Sequence, residues 1–343
     1  MIEINFKNIC KITFVIVGTI IGAGFASGQE IYTFFNKYGF KGLIGICISI
    51  FSMSYIIYKT FKIVIENDVN NYEDFIQKIM PEGFRKNKIL NHTINNIINI
   101  FLLICFNIMV TGFATYFVQE LNISKWIGAI VIAFLTLITL SNSINGVIKI
   151  NTYLIPLIIL LIIFLGINKI EYTQIVPIEN TSSIHWIISS ILYASYNSIT
   201  LVPILISLKR QLSTKKDAML TSFLVGAIML VLSIIIFLLM NTFIKEIFQV
   251  EIPIVYIANT LGASFKYIYG IVILTAIFTT AIGSGYGFLV NVTKKRKTYM
   301  ICATLMCLVS IFIGQMSFSN LVNVLYPIFG YLGIAQIIFL IMT

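Results

Sequence analysis

Ten apolar runs, at about 8–35, 42–61, 94–118, 124–141, 148–167, 184–208, 217–242, 267–291, 299–315 and 319–342, set the terms on which this chain can fold. A helix of roughly 20 apolar residues spans the hydrocarbon core of a bilayer. Inside that core every backbone amide and carbonyl must be satisfied by the protein or by a watery cavity. The recurrence of such runs predicts an all-α integral membrane protein that crosses ten times. With 58% hydrophobic and only 10% charged residues, the chain lacks the charge that coats a soluble domain of its length. Residues 8–35 show neither the short core nor the small-residue cleavage pattern of a signal peptide, and are read as a retained helix.

The net charge of +10 does not point to nucleic acid, because the positive residues lie between the apolar runs. With the N-terminus inside, 17 of the 23 Lys and Arg residues fall on the inner side. An excess of Lys and Arg marks the cytoplasmic face, so both termini are expected there. Of the two long connections, 62–93 predicts a short surface helix around 72–80, followed by a loop divided at Pro81 and Gly83. The other, 243–266, predicts a short helix from Ile252 to Leu261 on the outer surface. The Lys294–Lys297 run is read as an inward-side anchor rather than a lipid-phosphate site. Cys10, Cys47, Cys105, Cys302 and Cys307 lack metal-site spacing and read as small core or lipid-facing residues. His92 and His185 lie too far apart in sequence to suggest a metal pair.

The first run contains Gly18, Gly22, Gly24 and Gly28, followed directly by Gln29 and Glu30. Glycine lets a chain turn or approach another group without Cβ interference. Gly24 and Gly28 also form a small-xxx-small pair suited to helix packing, which leaves Gln29 and Glu30 unexplained. A discontinuity near residues 22–28 is predicted, with freed amides and carbonyls facing an interior chamber. The sixth run has a possible counterpart in Leu192–Thr200, crowded with hydroxyl and amide groups and followed by Pro203. Ten crossings divide into 1–167 and 168–343. Five per half makes the second half enter from the opposite side, the arithmetic of an inverted repeat whose first helices are discontinuous.

The architecture and the Gly-Ala-Gly-Phe-Ala-Ser-Gly-Gln-Glu segment at 22–30 resemble the LeuT-fold transporters of the amino acid–polyamine–cation superfamily. More narrowly, the segment looks like that of the bacterial YkvI-type membrane proteins. The resemblance implies a multi-pass protein of the bacterial cytoplasmic membrane. It further implies alternating-access secondary transport of a small solute, an amino acid or related amine, with sodium as the favoured coupling ion. In sodium-coupled members the ion lies between the first and eighth spans; the matching positions here are Gly18, Ile21, Ala276, Thr279 and Thr280. Proton-coupled relatives can place a lysine in the middle of the fifth span. The corresponding Pro156–Leu161 segment has none, which leans toward sodium. No other cofactor is implied, and the oligomeric state is left open.

The solute-lining candidates are Ala23, Gly24, Phe25 and Ala26 from the first span and Tyr193, Ser195, Tyr196 and Asn197 from the sixth. Asn107 and Thr111, four apart in the third span, join them, and Gly283, Ser284 and Gly285 mark a weak or closely packed point in the eighth. The solute's carboxylate is expected on the amides of the first span. Gly22, Gly28, Gln29 and Glu30 are expected in gating or coupling. Three roles compete for Glu30: holding the broken helix, attracting a substrate ammonium, or carrying a proton. A solute sensor or channel without coupled transport is the principal alternative, and a proton-coupled transporter using Glu30 another. No Walker phosphate loop and no convincing nucleophile–base set accompanies these features, so neither primary ATP-driven transport nor enzymatic activity is expected.

Overall fold

A computed structural model describes residues 6–69, 72–81, 88–141, 145–171, 174–175, 177, 184–211, 214–247, 250–293 and 295–343, with backbone alone for 7, 73, 88–92, 145–153 and 210. The first apolar run forms three pieces, α1 (Phe6–Ile20), α2 (Ala23–Ala26) and α3 (Gln29–Phe34). Then come α4 (Phe40–Glu66), α5 (Tyr72–Ile79), α6 (Lys88–Leu121), α7 (Lys125–Ser141) and α8 (Asn145–Lys169). The remainder forms α9 (His185–Ser207), α10 (Lys215–Thr242), α11 (Pro253–Asn259), α12 (Ala263–Val292), α13 (Arg296–Ile313) and α14 (Phe318–Met342).

Among the described residues, α4, α6, α9, α10, α12, α13 and α14 are long and apolar enough to cross a bilayer. Shorter apolar stretches of α1, α7 and α8 fall on the first, fourth and fifth runs. The protein is therefore an all-helical, multi-pass membrane protein associated with the lipid bilayer. Phe51, Phe134, Phe223, Ile271 and Phe312 are exposed on the outsides of these helices, where lipid tails are the natural neighbours.

The loop helices sit deeper than their sequences suggest. The helix expected at 72–80 is α5, and it turns Phe75, Ile76 and Ile79 into a small apolar cluster with Val202, Ile206 and Leu340 from the ends of α9 and α14. The helix expected on the outer surface is α11, whose Ile254, Val255 and Ile257 are fully buried. Its apolar face packs inward because Ile252 is pinned to α6 at both backbone groups. The Ile252 amide donates to Gln119 at 2.9 Å, and the Gln119 side-chain amide returns a bond to the Ile252 carbonyl at 3.3 Å. Gly83 and Lys294 lie outside the described residues; Arg296 donates to the Ser141 carbonyl, tying the start of α13 to the end of α7.

The expected break in the sixth run is corrected: α9 is a continuous helix through Leu192–Thr200, with Pro203 inside it. The side chains that suggested an interruption bond back into their own helix. Asn197 donates to the Tyr193 carbonyl at 3.0 Å, Ser198 to Ser195 at 2.7 Å and Thr200 to Asn197 at 2.8 Å. With no glycine to lower its helix propensity, the segment keeps its ladder and gains these local bonds.

α9 also lies very close to α14. A Cβ on Gly333 would sit 2.6 Å from the Ser195 carbonyl carbon, and one on Gly330 would sit 2.8 Å from the Leu192 carbonyl oxygen. These glycines let two backbones meet where any side chain would hold them apart, a common device where helices pack within lipid.

Candidate solute site at the interrupted first helix

Two backbone events divide the first span. The i→i−4 ladder of α1 ends as the Ile21 amide bonds Val17 at 2.8 Å and the Gly22 amide bonds Ile20 at 2.9 Å. Gly22 is extended, and α2 restarts behind it. Gly28 then takes φ +85°, a left-handed conformation that glycine adopts without steric cost, and redirects the chain into α3. The carbonyls of Gly18 and Thr19 consequently receive no backbone amide among the described residues.

Most other polar groups freed by the break are taken up by the protein itself. Tyr269 of α12 donates to the Ala26 carbonyl at 2.7 Å, and the Ile254 amide of α11 donates to the Ser27 carbonyl at 3.0 Å. Ser27 Oγ donates to the Gly24 carbonyl at 3.0 Å and accepts from the Gln29 amide at 3.3 Å. The Glu30 side chain folds back over the Gly24 backbone at the start of α2.

Glu30 reaches that position because Gly24 has no side chain. A Cβ there would lie 2.7 Å from Glu30 Cγ and 2.9 Å from Cδ. Its carboxylate accepts from the Tyr196 hydroxyl of α9, which joins the break to the sixth span. Glu30 is 2% exposed. It lies close enough to Tyr193 of α9, Tyr326 of α14 and Cys105 of α6 to act on them electrostatically. The surrounding rings form one cluster. Tyr196 stacks on Tyr326 at 4.9 Å between centroids and on Phe34 at 5.7 Å, while Tyr193 meets Tyr196 edge-on at 5.6 Å.

The other sequence candidates divide between this cluster and its surroundings. Ala23, Phe25 and Ala26 are buried in α2. Asn197 is spent on its own helix, and Ser195 faces Gly333 rather than Glu30. Thr111 bonds the Asn107 carbonyl at 2.9 Å and reaches the end of α13 at Ile313 at 3.4 Å, so its recorded partners lie away from the break. Gln29 turns toward Asn323 of α14, which also accepts from Thr33. At the weak point proposed in α12, Ser284 bonds back to the Thr280 carbonyl at 2.9 Å and the helix continues.

The five positions expected to ligate sodium lie on two elements that meet. A Cβ on Gly22 would be 3.7 Å from Thr280 Cγ2, which places α12 beside the end of α1. Thr279 and Thr280 both donate to the Ala276 carbonyl, at 3.0 and 2.9 Å. Their own lone pairs stay available to a cation, whereas the two lone pairs of Ala276 are engaged. Of these oxygens the Thr279 and Thr280 hydroxyls are therefore freer to meet a small hard cation than the Ala276 carbonyl.

Tyr326, Phe34, Tyr269 and Ile254 escaped the sequence reading. Each sits in an ordinary apolar context, far along the chain from the groups it contacts. Tyr269→Phe should leave the Ala26 carbonyl buried without its donor and lower stability by about 1–3 kcal/mol. The midpoint of thermal unfolding in detergent checks this; an unchanged midpoint would mean that the hydroxyl contributes nothing to holding the break.

Across 336 residues the chain is 26% identical to the uncharacterized membrane protein YkvI of Bacillus subtilis (strain 168), covering 95% of this chain and 93% of YkvI. It is 24% identical over 335 residues to the uncharacterized protein YyaD of the same organism, covering 95% and 94%. Among solved structures it resembles MHP1, a nucleobase-cation-symport-1 family transporter captured closed with bromovinylhydantoin bound. That match has a TM-score of 0.58 at 13% identity and covers 93% of this chain and 74% of MHP1. No protein-family model matches the chain. The likeness to MHP1 shows a LeuT-like fold.

Proposed function

We propose that the protein is a cation-coupled secondary transporter of a small solute, operating by alternating access in a bacterial cytoplasmic membrane with both termini in the cytoplasm. The reading takes the chain as ten crossings in two inverted halves, 1–167 and 168–343, with the joint of the first half at Gly22–Gly28. The observation that carries it is the division of the first span around a buried carboxylate within this fold. A helix needed only for anchoring has no use for two backbone interruptions and an acidic residue beside them. The solute would bind where α2 and α3 face Tyr193, Tyr196 and Tyr326.

Sodium is the coupling ion we favour, held by the Gly18 carbonyl and the Thr279 and Thr280 hydroxyls. Both carbonyls left open at the end of α1 and the oxygen-only character of the set support this. An ion that binds one access state more tightly shifts the population toward it, and this differential binding couples its gradient to the solute. In liposomes under imposed sodium or proton gradients, solute accumulation should follow sodium. Thr279→Ala combined with Thr280→Ala should raise the sodium concentration for half-maximal uptake by roughly tenfold or more. An active double variant with unaltered sodium dependence would remove the ion from this position. Accumulation that tracks the proton gradient alone would transfer the coupling to Glu30, and binding without accumulation would make the protein a sensor.

A further inference from the structure

We infer that the start of α13 is a docking site for an anionic phospholipid. Its headgroup meets Lys295, Arg296 and Lys297, and its acyl chains lie along the exposed face of the same helix. The lipid would bind whichever solute or ion is carried.

The charge of this turn has no counterpart in the chain. No Asp or Glu follows Glu251 in the sequence, and the first turn of α13 carries no acid. Elsewhere Lys209 pairs with Asp68, Lys215 with Glu66 and Lys266 with Glu120. Among the described residues, Lys295, Arg296 and Lys297 enter no such pair. Three like charges side by side repel one another, and a bound anion relieves that repulsion.

A cation that serves only as an anchor reaches freely into the headgroup zone. Arg296 is instead fixed. Its guanidinium donates to the Ser141 carbonyl at the end of α7 and lies 5.9 Å from the centre of the Tyr299 ring. One such bond leaves most of the five guanidinium donors unspent. The Tyr299 hydroxyl, on the same turn, has no hydrogen-bond partner among the described residues. A planar fork held in place suits a phosphate, which accepts two parallel bonds from it.

The surface below these cations selects a lipid over a soluble phosphate. Ile301, Leu305, Leu308 and Phe312 are exposed and recur every three or four residues, so they share one face of α13. Lys297 stands four residues before Ile301 and heads that face. The neighbouring α7 runs antiparallel: Trp126 meets Phe312 edge-on at 5.8 Å at one end, and Ser141 meets Arg296 at the other. It adds exposed Phe134 and Ile138 at similar depths. Ten residues of helix rise roughly 15 Å, the thickness of one leaflet's hydrocarbon. With Lys297 at headgroup level, Ile301 and Leu305 therefore face the acyl chains of that leaflet. A soluble anion would use the cations alone, whereas a lipid uses both.

The test titrates purified full-length protein in neutral detergent with phosphatidylglycerol, with phosphatidylethanolamine of the same acyl chains, and with inorganic phosphate. Thermal midpoints and lipid retention in native mass spectrometry are the readouts. Phosphatidylglycerol should half-saturate at a concentration roughly tenfold or more below that of phosphatidylethanolamine, and the gap should narrow as salt is raised. Inorganic phosphate should not reproduce the stabilisation. Lys295→Gln combined with Lys297→Gln removes two exposed side chains, keeps the Arg296 tie, and should leave the protein folded. Each basic residue near an anionic surface strengthens attachment about fivefold, so this variant should lose the preference. Lys59→Gln combined with Lys62→Gln removes equal charge near Glu66 and should retain it. Equal affinity for the two lipids overturns the inference. So does a preference that survives in the α13 variant or is lost equally in the α4 variant. Stabilisation by inorganic phosphate equal to that by phosphatidylglycerol would reduce the site to one for a soluble anion and overturn the lipid.

Discussion

Gly24→Ala is expected to leave the protein folded and inserted but to reduce solute binding and uptake by roughly ten- to a hundredfold, the equivalent of losing a charge-assisted hydrogen bond. The added methyl group would lie 2.7 Å from Glu30 Cγ, a separation no relaxed contact tolerates, so the side chain must swing off Gly24 and pull away from Tyr196. Glycine-to-alanine changes on α12 give internal controls. At Gly283 nothing lies within 4 Å of an added Cβ, and at Gly287 it would meet only the end of the Leu102 side chain at 3.3 Å. The three variants should therefore rank with Gly24→Ala far the most severe. Affinity and initial uptake rate in proteoliposomes measure the effect. If all three behaved alike, the seating of Glu30 over Gly24 would have no part in solute handling.

Gly333→Ala should act on stability instead. Its Cβ would be driven into the backbone of Ser195, and a helix backbone cannot rotate aside as a side chain can. Overpacking of this kind costs about 1–3 kcal/mol, and the variant should unfold at a markedly lower temperature in detergent. Gly330→Ala presses on the same helix one turn earlier, so the double variant should fall short of the sum of the singles: once α9 and α14 have separated, the second methyl finds room. Full additivity would mean that the helices yield locally rather than as rigid bodies.

Much of this arrangement could be read from the sequence because the bilayer simplifies the problem. Helix length and apolarity are dictated by the hydrocarbon core, so the apolar runs find their helices, and the glycines from Gly18 to Gly28 mark an interruption that is present. Polar residues proved ambiguous. The hydroxyls and amides of Leu192–Thr200 are equally suited to lining a break or to bonding their own helix, and only the absence of glycine separates the cases. The fold-back of Glu30 over Gly24 is local in sequence, yet it depends on a left-handed turn at Gly28. The contributions of Tyr269 and Tyr326 depend on long-range packing, for which a single chain offers no periodic signal.

An unbroken α9 has a consequence for how α3 can move. Ser189, near its N-terminal end, donates to the Phe34 carbonyl at the far end of α3, at 2.8 Å, while Tyr196, two turns further along, holds Glu30 at the start of α3. One stiff rod thus grips both ends of a six-residue segment whose own pivot is Gly28. With no joint of its own in the rod, α3 cannot tilt alone: either α9 travels with it as a single piece, or both grips are released together, making any swing of α3 an all-or-none event.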